Sequence, residues 1–214
     1  MNTPLTAKTP KGRRRQQALI TAATEIFLQY GFEGATLDMI IERAGGSRTT
    51  LYKNFGDKEG LFAAVIASMI DDIFQEPDEK MPPLDTIESI LSFYGSRFLL
   101  NVLKPESIGL YRLILGEYNR FPEITHAFFE QGPVKSYRLL TQKLALLPDV
   151  KVDEKTLLSI SSRYLEMLKA DVFITTFCIA DFKPSDEFIQ QQIAMSVDII
   201  ASYIRKISKH NQLG

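Results

Sequence analysis

The stretch that decides the fold runs from Thr36 to Phe62 and reads TLDMIIERAGGSRTTLYKNFGDKEGLF. Apolar residues recur in it at every third or fourth position, which is the spacing of one helical face. Two short helical segments flank Gly45-Gly46, and Ser47 follows as a residue that favours a helix start. The pattern predicts a helix of about nine residues, a tight turn and a helix of about seven residues, which is a helix-turn-helix.

Local chemistry marks where these helices begin and end. A preceding helix is expected over Arg13–Tyr30, with Gly31 as its left-handed C-terminal cap. Three short polar side chains can accept the first free N–H groups of a helix, and each is expected to cap the helix that follows it: Thr36, Ser47 and Asp57. The sequence thus divides its first part into four helices with defined starts.

The two short helices cannot bury a core by themselves. We expect their apolar residues to pack on the first helix; these residues are Ile40, Ala44, Leu51 and Phe55. The second short helix then turns a polar face outward, and such a helix fits the major groove of DNA. Arg48 begins this helix, and because a guanidinium can make a bidentate contact to guanine, Arg48 is the candidate base reader.

Residues 13–62 resemble the DNA-binding domain of the tetracycline-repressor (TetR) family. The matching positions are Ala22-Ala23, Phe27, Gly31-Phe32, Thr36, Ile40, Ala44-Gly45, Ser47, Thr50-Leu51-Tyr52, Phe55, Lys58-Glu59 and Leu61-Phe62. Gly46 and Asn54 depart from the pattern, since the family usually has an apolar residue at the first position and an aromatic residue or histidine at the second. The remainder of the chain matches the family in architecture only.

The resemblance implies an all-α homodimer with an N-terminal three-helix DNA-binding domain and a C-terminal helical body that binds a ligand and dimerises. It implies a repressor that binds a palindromic double-stranded DNA operator and is released by a small-molecule effector. A DNA-binding adaptor or activator without a small-molecule inducer is the alternative. The expected domains are a flexible basic tail over 1–12, the DNA-binding domain over 13–58 and the ligand-binding and dimerisation domain over 59–214.

The residues expected at the DNA carry polar side chains on or beside the second short helix. They are Thr36, Arg48, Thr49, Thr50, Tyr52, Lys53, Asn54 and Lys58. By resemblance, Tyr52 and Lys58 are phosphate contacts. Thr36 is equally suited to be only a helix cap, and Lys53 to lie on a solvated face. The basic run Lys11–Arg15 either reaches the DNA or only keeps the tail soluble.

The candidate effector contacts lie in the body, where aromatic residues concentrate. They are Tyr94, Phe98, Tyr111, Glu117, Phe128, Tyr137, Tyr164 and Phe173. Aromatic residues at helical spacing also form an ordinary core, and Glu117 also suits an ion pair, so both interpretations stay open here. A pocket of this composition favours an apolar or aromatic effector.

Helix boundaries in the body follow from proline and polar residues. An acidic, proline-containing loop occupies 75–83, and Asp85 with Glu88 is expected to open the next helix. Three prolines are predicted in the first turns of helices: Pro105, Pro122 and Pro133. A long helix over Asp153–Ile179 is apolar nearly all round. With the last helix, which starts near Pro184, it is the expected dimer face.

Composition excludes several other classes of protein. The chain has 214 residues, one cysteine and two histidines, which exclude an internal disulfide and a Cys/His zinc site, and no cofactor or metal is expected. Residues 1–58 carry nine Lys/Arg and five Asp/Glu, a basic balance that suits an anionic partner. Without a glycine-rich phosphate loop or nucleophile motif, we expect no enzyme. Without an apolar leader or membrane span, we expect a cytoplasmic protein.

Overall fold

The computed structural model describes residues 9–74, 84–179 and 181–213. Within these ranges the chain forms ten α-helices, one π-helical turn and no strand, so the predicted all-α class is confirmed. The helices are α1 (Pro10–Gly34), α2 (Leu37–Ala44), α3 (Arg48–Phe55), α4 (Lys58–Phe74), α5 (Ile87–Val102), α6 (Pro105–Gly116), α7 (Pro122–Phe129), α8 (Lys135–Ala145), α9 (Glu154–Cys178) and α10 (Asp186–Leu213). None of them combines the length and the apolar character that a membrane crossing requires.

The described residues form two compact units. The first unit contains the described residues up to Ile73 and the segment Gly109–Phe128. The second contains the described residues of Phe74–Ile108 and Phe129–Gly214. The first unit therefore includes nearly all of α4 and a segment distant in sequence. These units are defined by which residues lie close together in space. The domain boundary expected after residue 58 separates DNA binding from ligand binding and dimerisation, and it stays a prediction.

Helix α1 begins earlier than the sequence predicted and is kinked at Gly31, where its end was expected. The expectation of a flexible tail up to residue 12 is wrong for 9–12, because Pro10 starts the helix and the Thr9 side chain accepts a bond from the Gly12 N–H at 3.2 Å. Gly31 interrupts the helix as predicted: its φ of 70° and ψ of 178° are not helical, and they produce a kink. Beyond the kink, residues 32–34 form a short helical segment where the sequence predicted a turn. Residues 1–8 of the tail and the loop 75–83 lie outside the described residues.

The predicted caps around the helix-turn-helix are confirmed. Thr36 accepts a bond from the Met39 N–H at 3.2 Å, and Ser47 accepts one from the Thr50 N–H at 3.3 Å. Asp57 does the same for the Gly60 N–H at 2.7 Å. Gly45 ends α2 in the left-handed conformation, with φ 65° and ψ 37°. These local bonds fix where α2, α3 and α4 begin.

Helix α5 does not start as predicted. Thr86, rather than Asp85, is the N-cap, and it forms a reciprocal capping box with Ser89 at 3.1 Å in both directions. Glu88 instead forms an ion pair with Arg205. A hydroxyl pair three positions apart satisfies the free N–H groups as well as a carboxylate pair does, and this decides the register of the helix start.

The prediction that Pro133 begins a helix is also wrong. Pro133 lies inside the π-helical turn Glu130–Val134, which carries α7 directly into α8. In the wider turn the Lys135 N–H bonds to the Glu130 carbonyl, five residues back. Because proline has no N–H to donate, a turn with altered bonding accommodates it without breaking the helix. Pro105 and Pro122 do begin α6 and α7.

The core of the second unit is formed by α5, α8, α9 and α10. On α10 the buried residues of this core lie three or four positions apart on one face: Ile189, Ile193, Val197, Ile200 and Ile204. Tyr164 of α9 is fully buried, and its hydroxyl donates to the Leu91 carbonyl at 2.7 Å. Gly95 makes this approach possible, since a Cβ there would collide with the Tyr164 hydroxyl. Burial raises the pKa of the Tyr164 phenol.

Helix α9 is interrupted at Ala170, which has φ 24° and ψ −127°. A positive φ is sterically costly for alanine, so the break places backbone strain in the middle of a long helix. The residues on either side of it carry the polar and aromatic groups described below.

Candidate nucleic-acid interface

The first unit presents α3 as predicted. Leu51 and Phe55 are buried, and α3 packs against α1 and α2. On α2, Ile40 is buried while Ala44 is only half-buried. The exposed face of α3 consists of Arg48, Thr49, Tyr52 and Lys53. A short helix anchored by two apolar residues thus offers one cationic and polar surface to the solvent.

Arg48 is held by a residue that the sequence did not single out. Its Nε donates to Asp38 Oδ1 at 3.0 Å, and its Nη2 lies 2.8 Å from Oδ1 and 2.5 Å from Oδ2. Asp38 belongs to the first turn of α2, and both side chains are about two-thirds exposed, at 67% and 66%. The hydrogen bond from Arg48 lowers the pKa of Asp38, and the bond to Asp38 raises the pKa of Arg48.

Two other expected DNA contacts bond within the protein. The Thr50 hydroxyl lies 3.0 Å from the Ser47 hydroxyl, beside the cap of α3. The Asn54 amide donates to the Thr50 carbonyl at 2.8 Å, and both side chains are half-buried. These bonds give Thr50 and Asn54 a role in shaping α3, and their contact with DNA stays a prediction.

Thr36 and Lys58 lie at helix starts, where free N–H groups favour an anion. Thr36 is exposed and caps α2. The Lys58 ammonium lies 4.5 Å from the centre of the Phe32 ring and 3.4 Å from the Glu33 carbonyl. Arg120 stacks on the same ring at 4.7 Å and pairs with Glu33. Two cations therefore flank one aromatic ring, and only the lysine was predicted at the interface.

An aromatic cluster joins the segment Gly109–Phe128 to the start of α4. Phe121 lies 4.9 Å from Phe32 and 5.3 Å from Phe62, measured between ring centres. Phe27 completes the cluster at 5.2 Å from Phe62. These contacts connect residues that are almost ninety positions apart in the sequence. The helical repeat of apolar residues carries no information on contacts between residues so far apart, so this cluster was not predicted.

The candidate effector contacts fall into two groups. Five of them belong to the core of the second unit or pack against it: Tyr94, Phe98, Tyr137, Tyr164 and Phe173. The other three, Tyr111, Glu117 and Phe128, belong to the first unit, where the Tyr111 and Phe128 rings meet edge to face at 5.0 Å. The structure thus does not place all the candidates in one compact unit.

A polar and aromatic cluster surrounds the break in α9. The Tyr137 hydroxyl donates to Glu166 Oε1 at 2.5 Å, and the Lys169 ammonium lies 2.8 Å from Glu166 Oε2. Lys169 also lies 5.5 Å from the Phe173 ring, which stacks with Phe177. Of these residues, Tyr137 and Phe173 were predicted as effector contacts, whereas Lys169 was not. The cluster combines flat apolar faces with donors and an acceptor.

Two family models together match most of the chain. Residues 19–65 match the model of bacterial regulatory proteins of the tetR family, and residues 89–203 match that of the C-terminal domain of AefR-like transcriptional repressors. The chain belongs to the TetR family of transcriptional regulators. The predicted helix-turn-helix and the resemblance are thereby confirmed. Proteins of this family are DNA-binding regulators of transcription, and α2 and α3 form the helix-turn-helix of this chain.

Curated regulators of transcription match this chain over short stretches, of 57 to 69 residues in three of them. Regulator YhgD of Bacillus subtilis is 32% identical over 69 residues, 32% of this chain and 36% of its own length. The activator FasR of Mycolicibacterium smegmatis is 41% identical over 64 residues, 30% of this chain and 29% of its own. RutR of Escherichia coli K12 is 40% identical over 57 residues, 27% of each chain. The match therefore spans about a third of these relatives.

Solved structures match over nearly the whole chain. A TetR-family regulator from Mesorhizobium loti superposes with a TM-score of 0.73 at 23% identity, covering 91% of this chain and 98% of that one. The flavonoid-responsive regulator FrrA gives a TM-score of 0.73 at 26% identity, covering 89% of this chain and 96% of its own. Both share the fold from the helix-turn-helix through the C-terminal helices.

Proposed function

We propose that this chain is a homodimeric repressor that binds a palindromic operator through α3 and leaves it when a small aromatic effector binds. The observation that carries the proposal is the exposed face of α3, with Arg48, Thr49, Tyr52 and Lys53 directed away from a buried Leu51 and Phe55. In a helix-turn-helix dimer, two such helices enter successive major grooves about 34 Å apart. Family membership supports the same conclusion.

Exposed apolar residues on the last two helices support a dimer. On α10, Met195, Ile199 and Tyr203 lie at spacings of four, and each leaves 51% of its surface exposed. Ile174 of α9 is 53% exposed. Such a stripe is costly in water and is stabilised when a second copy covers it. We expect α9 and α10 to pair with their two-fold mates in a four-helix bundle.

The dimer is tested by placing a charge in that stripe. Ile199→Glu should convert a dimer to a monomer in mass photometry or light scattering, because a buried carboxylate without a partner opposes association. Leu146→Glu is the matched control, since Leu146 is 78% exposed and lies off α9 and α10. A wild-type monomer, or an unchanged dimer in Ile199→Glu, contradicts the proposed dimer face.

The cluster around the α9 break supports a hydroxylated aromatic effector. Phe173 and Phe177 offer flat faces, while Tyr137, Glu166 and Lys169 offer groups that bond to phenolic hydroxyls. FrrA, which is 26% identical over nearly the whole fold, is named a flavonoid-responsive regulator. We propose the same chemical class here: a planar compound with phenolic hydroxyls.

Effector action is tested with hydroxylated flavones and unsubstituted flavone as probes. A binding probe raises the melting temperature of the full chain, because only the folded state binds it. The same probe should release the protein from its DNA site in fluorescence anisotropy. We expect effector binding to act through α4, which follows the recognition helix directly. A probe that binds and tightens DNA binding would make the protein co-repressed or an activator.

The sign of regulation has one further indication. FasR, which is 41% identical over 64 residues, is named an activator. An activator with the same recognition helix would bind the same kind of site at a different position in the promoter. A reporter gene under the selected site decides between the two, since a repressor lowers its expression and an activator raises it.

A further inference from the structure

The pair of Asp38 and Arg48 uses only one edge of the guanidinium. All three of its bonds involve Nε and Nη2, and the Nη1 amino group takes no part in them. A guanidinium is planar and offers two donor pairs, one along its side and one at its end. With Nε and Nη2 both bonded to Asp38, the two N–H donors of Nη1 are left for another acceptor.

The carboxylate lies where its charge opposes DNA binding. Asp38 is exposed beside the cationic face of α3, and a negative charge there repels the phosphates of any duplex. It also shares the Arg48 charge, which weakens the attraction of Arg48 for phosphates in general. An acid at this place therefore reduces affinity for DNA of any sequence. Asp38 also lies in the first turn of α2, where a negative charge stabilises the helix. Its bonds to Arg48 add a second effect, because they fix how the guanidinium is presented to the DNA.

We propose that Asp38 is a specificity-determining residue, which holds the Arg48 guanidinium at the N-terminus of α3 so that its Nη1 amino group reads guanine rather than the phosphate backbone. This inference rests on the proposed operator binding by α3. A fixed side chain loses little rotamer freedom on binding, so the contact with the correct base is favoured over contacts that a free arginine makes anywhere along the duplex.

The test compares charge-neutral variants of two similar ion pairs in the full chain. Asp38→Asn removes the carboxylate beside Arg48. Glu25→Gln is the matched control, because Glu25 holds Arg43 by a bond of 2.7 Å on the same unit, away from α3. Both variants lose one exposed negative charge. Wild type and variants are each used to select binders from a randomised double-stranded DNA pool, and affinity for the enriched site and for unrelated duplex is then measured.

The expected result is a loss of selectivity in one variant only. Asp38→Asn should bind unrelated duplex several-fold more tightly, and its preference for guanine at one position in each half-site should fall about tenfold. Glu25→Gln should keep the wild-type preference at that position. Arg48→Lys gives a second measure: a lysine keeps the charge without the fork, so it should lose the guanine preference while the salt dependence of binding stays the same.

The outcomes separate this inference from the function on which it rests. A wild-type chain that enriches no sequence overturns the proposed operator binding and the role of Asp38 together. If the wild type enriches a site and Asp38→Asn shows the same preference for guanine in it, only the role of Asp38 is overturned. An equal loss in Asp38→Asn and Glu25→Gln overturns that role too, because general charge would then explain it. Melting temperatures of the variants check that each is folded.

Discussion

Replacing Gly46 by alanine should stabilise the helix-turn-helix. Gly46 lies between the left-handed Gly45 and the cap Ser47, and its own φ is outside the left-handed region, so alanine fits the backbone. An added Cβ would lie 3.6 Å from Leu19 Cδ2, an ordinary van der Waals contact with a fully buried side chain. The position thus has room for the methyl group and a surface for it to contact.

The magnitude follows from two contributions. Removing a glycine from a compatible position lowers the entropy of the unfolded chain and stabilises the fold by about 0.4–1 kcal/mol. A fully buried methyl group contributes about 0.8 kcal/mol, and a half-buried one about half of that. The free energy of unfolding of Gly46→Ala should therefore exceed that of the wild type by about 1 kcal/mol.

Gly45→Ala is the matched control for this prediction. A Cβ at Gly45 meets no atom within 4 Å, so there is room for it, but the residue has φ 65°. The left-handed conformation costs alanine about 1–2 kcal/mol, so this variant should be less stable than the wild type. The free energy of unfolding of both variants is measured by urea unfolding of the full chain, monitored by circular dichroism, in the transition of the first unit. If the two variants change stability in the same direction, the reasoning from backbone conformation fails.

Three further changes test other parts of the structure. Phe121→Ala should destabilise the first unit by about 3–5 kcal/mol, because it removes a buried ring between Phe32 and Phe62. Phe129→Ala is the control: its ring is half-exposed, so the free energy of unfolding in urea should change by less than about 0.5 kcal/mol. Gly60→Ala should unfold the turn before α4, because its Cβ would collide with the Phe55 carbonyl; loss of folded protein at ambient temperature is the readout. Tyr164→Phe should cost about 1 kcal/mol for the lost bond to Leu91. Burial raises the pKa of Tyr164, so the phenol of the unfolded state ionises at a lower pH than that of the folded state. The free energy of unfolding of the wild type should therefore fall as the pH rises above about 10, and that of Tyr164→Phe should fall less.

Local chemistry made the helix-turn-helix predictable. The caps Thr36, Ser47 and Asp57 act on N–H groups three residues away, and the left-handed Gly45 acts on its own turn. These effects need no knowledge of the rest of the fold. Where two candidate caps stood side by side, as at Asp85 and Thr86, the sequence pattern did not distinguish them and the prediction was wrong by one residue.

Features that depend on distant contacts were not predictable in the same way. Asp38 and Arg48 are ten residues apart on two helices, so their pairing depends on the angle between those helices rather than on a repeat. Phe121 joins the first unit through contacts with residues far back in the chain. The break at Ala170 occurs at a residue that is neither glycine nor proline, so the sequence did not predict it. The candidate effector contacts were chosen by residue type alone, and they divide between two units for that reason.

The most direct test of the account is selection of wild-type binding sites from a randomised double-stranded DNA pool. A homodimer that reads DNA with α3 should enrich an inverted repeat whose half-sites are centred about 10 base pairs apart. A chain carrying both Tyr52→Ala and Lys53→Ala on the exposed face of α3 should enrich it weakly or not at all. A wild-type protein that enriches no sequence, or a double variant that enriches the same repeat equally well, would contradict the central claim.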